Sequence, residues 1–66
     1  MKKTIVLGEF DNDELEALVL FLQDEGIEII ESDDEKGLVD VSTPLEVEEL
    51  EELLYDNGFD CDGIRA

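Results

Sequence analysis

Histidine and tryptophan are absent from this 66-residue chain, cysteine and proline occur once each, and only four residues are basic. Each shortage removes a class of chemistry. Without histidine there is no Ser–His or Cys–His pair to activate a nucleophile, and acid–base work falls to carboxylates alone. A single cysteine, Cys61, forms neither an internal disulfide nor a cysteine-rich metal site, so packing alone must hold the fold. The four bases, Lys2, Lys3, Lys36 and Arg65, stand against twenty-one acids, for a net charge of −17. A surface of that sign repels nucleic acid and anionic membranes. No apolar run approaches the roughly 20 residues that span a bilayer, and the run after Met1-Lys2-Lys3-Thr4 is too short for a secretory signal. The expectation is a soluble cytoplasmic protein with no catalytic residues, no metal and no cofactor.

What is present suffices for a fold. Hydrophobic residues make up 42% of the chain, an ordinary globular value and too many for a disordered acidic tail. A chain this short makes one domain, residues 1–66, near the lower limit of independent folding.

The sequence also resembles itself. Shifted by 32 positions, Asp24-Glu25-Gly26-Ile27 falls on Asp56-Asn57-Gly58-Phe59, and Leu15, Leu18 and Leu22 fall on Val47, Leu50 and Leu54. The pseudo-repeat covers residues 4–31 and 36–63, and each copy reads strand, helix, strand. In the first, Thr4 to Glu9 is a β-branched apolar run. Asp11 with Glu14 has the spacing of a capping box and Phe10 with Leu15 that of a hydrophobic staple, so a helix is predicted from Asn12 to Glu25. Gly26 stops it, and Ile27 to Glu31 follows as a half-buried strand. In the second copy Leu38 to Val41 is the strand, Thr43 the cap, Pro44 the first helical residue and Glu46 the closing acid. The helix runs to Asp56, Asn57-Gly58 ends it, and Phe59 to Ile64 forms the last strand. Ser32 to Gly37 is a hairpin loop.

Two βαβ units joined this way predict an α+β, ferredoxin-like βαββαβ fold, with an antiparallel sheet in the order 4-1-3-2 and both helices on one face. The leucines of the two helices should meet Ile5, Leu7, Ile27, Ile29, Val39, Val41, Phe59 and Cys61. Thr4, Val6, Ile30, Leu38, Asp40, Asp62 and Ile64 should then point to the uncovered face.

In topology the chain resembles acylphosphatases, heavy-metal-associated domains and RNA-recognition motifs, and it departs from each at the working residues. Acylphosphatases hold phosphate with a basic residue and backbone amides in the loop after the first strand. Here that loop is Gly8-Glu9-Phe10-Asp11-Asn12, whose acids repel phosphate. The Cys-x-x-Cys pair of heavy-metal domains belongs in the same loop, whereas Cys61 stands alone on the last strand, aligned with Ile29 as a core thiol. RNA-recognition motifs stack bases on aromatics of the third strand, which here is Gly37-Leu38-Val39-Asp40-Val41. For hard cations, Asp60-Cys61-Asp62-Gly63 and Asp33-Asp34-Glu35 are the best carboxylate groups, and neither has the alternate ligand spacing of an EF-hand loop.

The second helix is the anomaly. At about 100° per residue, Glu48, Glu49, Glu52 and Asp56 crowd its solvent side beside Glu51, with no base among them, although like charges three or four residues apart destabilise a helix. The first helix adds further acids, and the hairpin adds Asp33, Asp34 and Glu35. A carboxylate row spaced at ~5–6 Å is comparable with successive phosphates of a nucleic acid strand. In size, charge and lack of catalytic groups the chain resembles DNA-mimic proteins, small acidic inhibitors often made by phages. That resemblance implies a non-catalytic inhibitor whose partner is a basic protein surface, such as the groove of a nucleic-acid-binding enzyme, contacted by Glu48, Glu49, Glu52 and Asp56 with the hairpin acids in support. A solvated, salt-adapted face accounts for the same acids. The alternative function is a homodimeric regulatory or structural module that associates through Val6, Ile30, Leu38 and Ile64 on the bare sheet face, in which it resembles modules of the ACT type.

Overall fold

A computed structural model describes every residue, Met1–Ala66. The elements follow in the order β1 (Lys2–Val6), α1 (Asn12–Asp24), β2 (Glu28–Asp33), β3 (Leu38–Ser42), α2 (Val47–Asp56) and β4 (Gly63–Arg65). The result is an α+β domain with one open, antiparallel, four-stranded sheet ordered β2-β3-β1-β4, which from the other edge reads 4-1-3-2.

Alternation along the strands decides what is covered. On β1 and β3 the side chains of Ile5, Val39 and Val41 are fully buried, while Thr4, Val6, Leu38 and Asp40 between them are half-buried. The same buried cluster takes in Leu15, Leu18 and Leu22 from α1 and Leu50 and Leu54 from α2. Both helices therefore lie on one side of the sheet. Each fully buried aliphatic contributes about 1.5–3 kcal/mol of transfer free energy, the main force available to so small a domain. Lys3 also falls on the covered side, opposite Val41, and is only 5% exposed. None of its polar atoms is buried without a partner, so its aliphatic stem covers core while the ammonium reaches outward.

The helix ends show which local signals operate. Asp11 caps α1, its Oδ1 accepting the Glu14 amide at 2.8 Å. At the other end Gly26 adopts φ 77°, with its amide donating to Gln23 O and that of Ile27 to Leu22 O, both at 3.0 Å. That is the Schellman arrangement, in which a left-handed residue folds the chain back onto the last turn. Helix α2 starts later than the repeat predicts. Its N-cap is Glu46, whose amide donates to Glu49 Oε1 at 3.3 Å, rather than Thr43. Thr43 is buried, and its hydroxyl accepts the Leu45 amide at 3.2 Å in a local turn. Pro44 thus sits in that turn, ahead of the helix instead of in its first position.

Two strand positions differ from expectation. In β2, Ile29 opposes Val41 and Glu31 opposes Asp40, so Ile30 is the extra residue of a β-bulge. Without the bulge Glu31 would point under α1; with it, Glu31 takes the open face and Ser32 lies opposite Val39, because one inserted residue inverts every side chain beyond it. The last strand is only Gly63–Arg65, not Phe59 to Ile64, and it pairs Ile64 with Ile5. Ile64 consequently packs against the core and is not on the uncovered face. The cause lies upstream. Phe59 turns aside to meet Phe21 at a ring distance of 5.1 Å, and Asp60 and Asp62 are poor strand formers, so the alternation restarts at Gly63.

Candidate functional site

Burial of Leu50 and Leu54 fixes the rotation of α2, and this rotation turns its carboxylates outward. Glu48, Glu49, Glu51, Glu52 and Asp56 are all exposed. No base offsets them, since the only ion pair in the molecule joins Lys2 to Asp40 at 3.7 Å on the uncovered sheet face. The sequence reading missed one member of this surface. Tyr55 is 78% exposed, and its position three and seven residues after Glu52 and Glu48 places it on the same stripe. Its signal was available, as an aromatic at a solvent position of an amphipathic helix.

Beyond the helix the chain folds back beside the same stripe. Glu51, Glu52, Tyr55, Phe59, Asp60 and Asp62 line a shallow depression of about 330 Å³. Four carboxylates and the rings of Tyr55 and Phe59 line it together, a combination suited to a guanidinium or an ammonium group, which can pair with the acids and lie against a ring. The sequence suggests Asp60 and Asp62 as cation ligands, and Asp62 also as a residue of the uncovered sheet face; both instead precede β4 and line this depression together with Glu51 and Glu52 of α2. No group of three or more His, Cys, Asp or Glu side chains is disposed to hold a metal ion.

The hairpin acids belong elsewhere. Helix α2 lies beside β4 and α1 over β2, at opposite ends of the sheet order, so the β2–β3 hairpin is remote from the α2 row. Asp34 instead lines a depression of about 520 Å³ with Asn12 and Glu16 of α1. Asp33 is committed to the turn, its Oδ1 accepting the amides of Glu35 at 3.0 Å and Lys36 at 3.1 Å. Asp34 and Glu35 remain exposed. The expected single acidic surface therefore divides in two.

Cys61 is half-buried next to the first depression. Burial pushes its thiol above the ordinary range, the nearby Glu51 carboxylate pushes it further, and Asp60 and Asp62 add smaller contributions against an opposing hydrogen bond from its own backbone. A thiol held protonated is a poor nucleophile and a poor soft-metal ligand.

Of the four residues expected to form a sheet-face interface, Val6 and Leu38 are neighbours there, half-buried and directly paired. Ile30 is 52% exposed at the bulge on the edge strand, and Ile64 faces the core. No helix is long and apolar enough to cross a membrane. Comparison with models of protein families, with curated proteins and with solved structures gives no significant match.

Proposed function

We propose that this chain is a non-catalytic, cytoplasmic binding protein that sets the acidic stripe of α2 into a basic groove of another protein, in the place a nucleic acid strand would take. The observation that carries the reading is the row Glu48, Glu49, Glu52 and Asp56, exposed on one helix and without a compensating base. A neutral solubilising role does not call for this arrangement, because mixed charges dissolve a small domain equally well without straining a helix. The depression beside Tyr55 deepens the reading by offering one seat for an arginine or lysine side chain of the partner. Long-range attraction would steer the two surfaces together, and short contacts at the groove would then displace the natural polyanion. The βαββαβ order supports the finer description as ferredoxin-like, and the size and charge support an inhibitor of the phage DNA-mimic kind.

The test is capture from a cell lysate on the immobilised domain, followed by elution with duplex DNA. A nucleic-acid-binding enzyme released by DNA, and by raising salt from about 0.05 to about 0.5 M, is the expected result, since screening shortens several-fold over that range. The triple variant E48K/E49K/E52K should lose the capture, and Tyr55→Ala should weaken it by roughly tenfold. Undiminished capture by the triple variant sinks the reading.

A further inference from the structure

The pairing of the strands fixes the pattern of the uncovered sheet face. Directly opposed residues share a side. Three rows therefore cross the face from β2 to β4: Glu28, Ser42, Lys2; then Glu31, Asp40, Thr4, Arg65; then Asp33, Leu38, Val6, Gly63. Charge is separated along them. The acids of β2 stand at one edge, while Lys2 and Arg65, two of the four bases in the chain, stand on β1 and β4. Lys2 is engaged with Asp40 at 3.7 Å, and Arg65 has no ion pair.

From this layout we infer that the uncovered face binds a second copy of the chain, related by a two-fold axis that lies in the interface and runs along the strands. That axis lays β2 of one copy over β4 of the other. Glu31 then faces Arg65 of the second copy and Arg65 faces its Glu31, while Leu38 and Val6 cross over each other at the apolar end of the face. Every contact occurs twice, as an isologous interface requires. A two-fold axis across the strands would instead stack β2 on β2 and bring Glu31 against Glu31, so the charge pattern selects one geometry and rejects the other. Stacked sheets lie about 10 Å apart with strands within about 30° of each other, a gap and a rotation that extended Glu and Arg side chains span.

The high net charge does not forbid the contact. Both helices of each copy are on the far side of its sheet, so most of the acids lie beyond the ~8 Å screening length at ~0.15 M salt. The face is small, four strands at ~4.8 Å spacing and about five residues deep, well below the ~800 Å² per partner of a standard interface. The dimer is accordingly of the weak, reversible class. It leaves α2 of both copies on the outside, so it uses none of the residues assigned above to a basic partner and stands or falls independently of that assignment.

Sedimentation equilibrium of the full chain at about 0.5 mM and ~0.15 M salt tests it, at a concentration suited to a small interface. The expected result is a dimer for the natural sequence and at least about tenfold weaker association for either Arg65→Glu or Glu31→Arg, both at exposed positions where the fold tolerates exchange. Mixed in equal amounts, the two single variants should form a heterodimer, because each new charge then meets its opposite; the double variant E31R/R65E should pair with itself. A monomer in the natural sequence, a single variant that dimerises unchanged, or a mixture that stays monomeric each overturns the inference.

Discussion

In the first half of the chain α1 closes with the Ile27 amide on Leu22 O at 3.0 Å, and in the second half α2 closes with the Phe59 amide on Leu54 O at 2.9 Å. The donors, the acceptors and the intervening Gly26 and Gly58 all correspond under the 32-residue shift, and the two glycines have φ values of 77° and 83°. On either side of these matched ends the halves diverge. Asp11 caps α1 directly, whereas its counterpart Thr43 lies three residues ahead of the true cap of α2. After the stop, β2 runs for six residues through a bulge and β4 for three without one. Core leucines and glycine stops thus keep the repeat, while caps and strands follow local chemistry. The division has a physical basis, since a leucine in the common core is constrained by both halves and an edge strand by only one neighbour.

The strongest way to break the comparison is to truncate equivalent core leucines. Leu22 and Leu54 are both fully buried. Leu22→Ala and Leu54→Ala should each cost about 2–5 kcal/mol, comparable with the whole stability of a domain this small. Urea or thermal unfolding should therefore find both variants largely unfolded near room temperature. If one kept a cooperative transition close to the natural midpoint, the two halves would not share the core equally.

A smaller effect tests where the halves diverge. Ile64 and Ile30 looked alike in the sequence, both assigned to the open face. The structure pairs Ile64 with Ile5 toward the core and leaves Ile30 as the unpaired bulge residue. Ile64→Asn should cost about 2 kcal/mol and Ile30→Asn no more than about 0.5 kcal/mol, with asparagine chosen so that no charge is added. Equal costs in chemical denaturation would show that β4 keeps the alternation of the repeat after all.

These residues also mark what was legible in advance. The antiparallel sheet, the two helices and the core leucines followed from periodicity and glycine stops, because burial imposes a 3.6-residue or two-residue rhythm that survives without long-range information. The outward row on α2 followed with them, as the complement of Leu50 and Leu54. Three features were hidden. The bulge at Ile30 arises from pairing with β3, which no local pattern in Ile29-Ile30-Glu31 specifies. The shortening of β4 depends on Phe59 finding Phe21 across the fold. The separation of Asp34 from the α2 acids is a consequence of strand order, since the hairpin and α2 are close in sequence and lie toward opposite edges of the sheet.

The finest comparison concerns the two stops themselves. At Gly26 and at Gly58 nothing lies within 4 Å of where a Cβ would stand, so an alanine meets no neighbour and pays only for its backbone conformation. A left-handed L-residue costs roughly 1–2 kcal/mol, partly offset because alanine also restricts the unfolded chain by about 0.4–1 kcal/mol. Gly26→Ala and Gly58→Ala should consequently each destabilise by about 1 kcal/mol and match one another within about 0.5 kcal/mol, as read from denaturation midpoints at constant m-value. Placing D-alanine at either position by chemical synthesis removes the conformational penalty and keeps the entropic gain, so it should raise stability. Matching responses at the two positions, a loss with L-alanine and a gain with D-alanine, would establish that the helix stops are the most faithfully repeated elements of the chain. A large loss at only one would mean that its turn does more than reverse the backbone, and Gly58, which leads into the loop bearing Phe59, Asp60 and Cys61, is where the repeat predicts that loss should not occur.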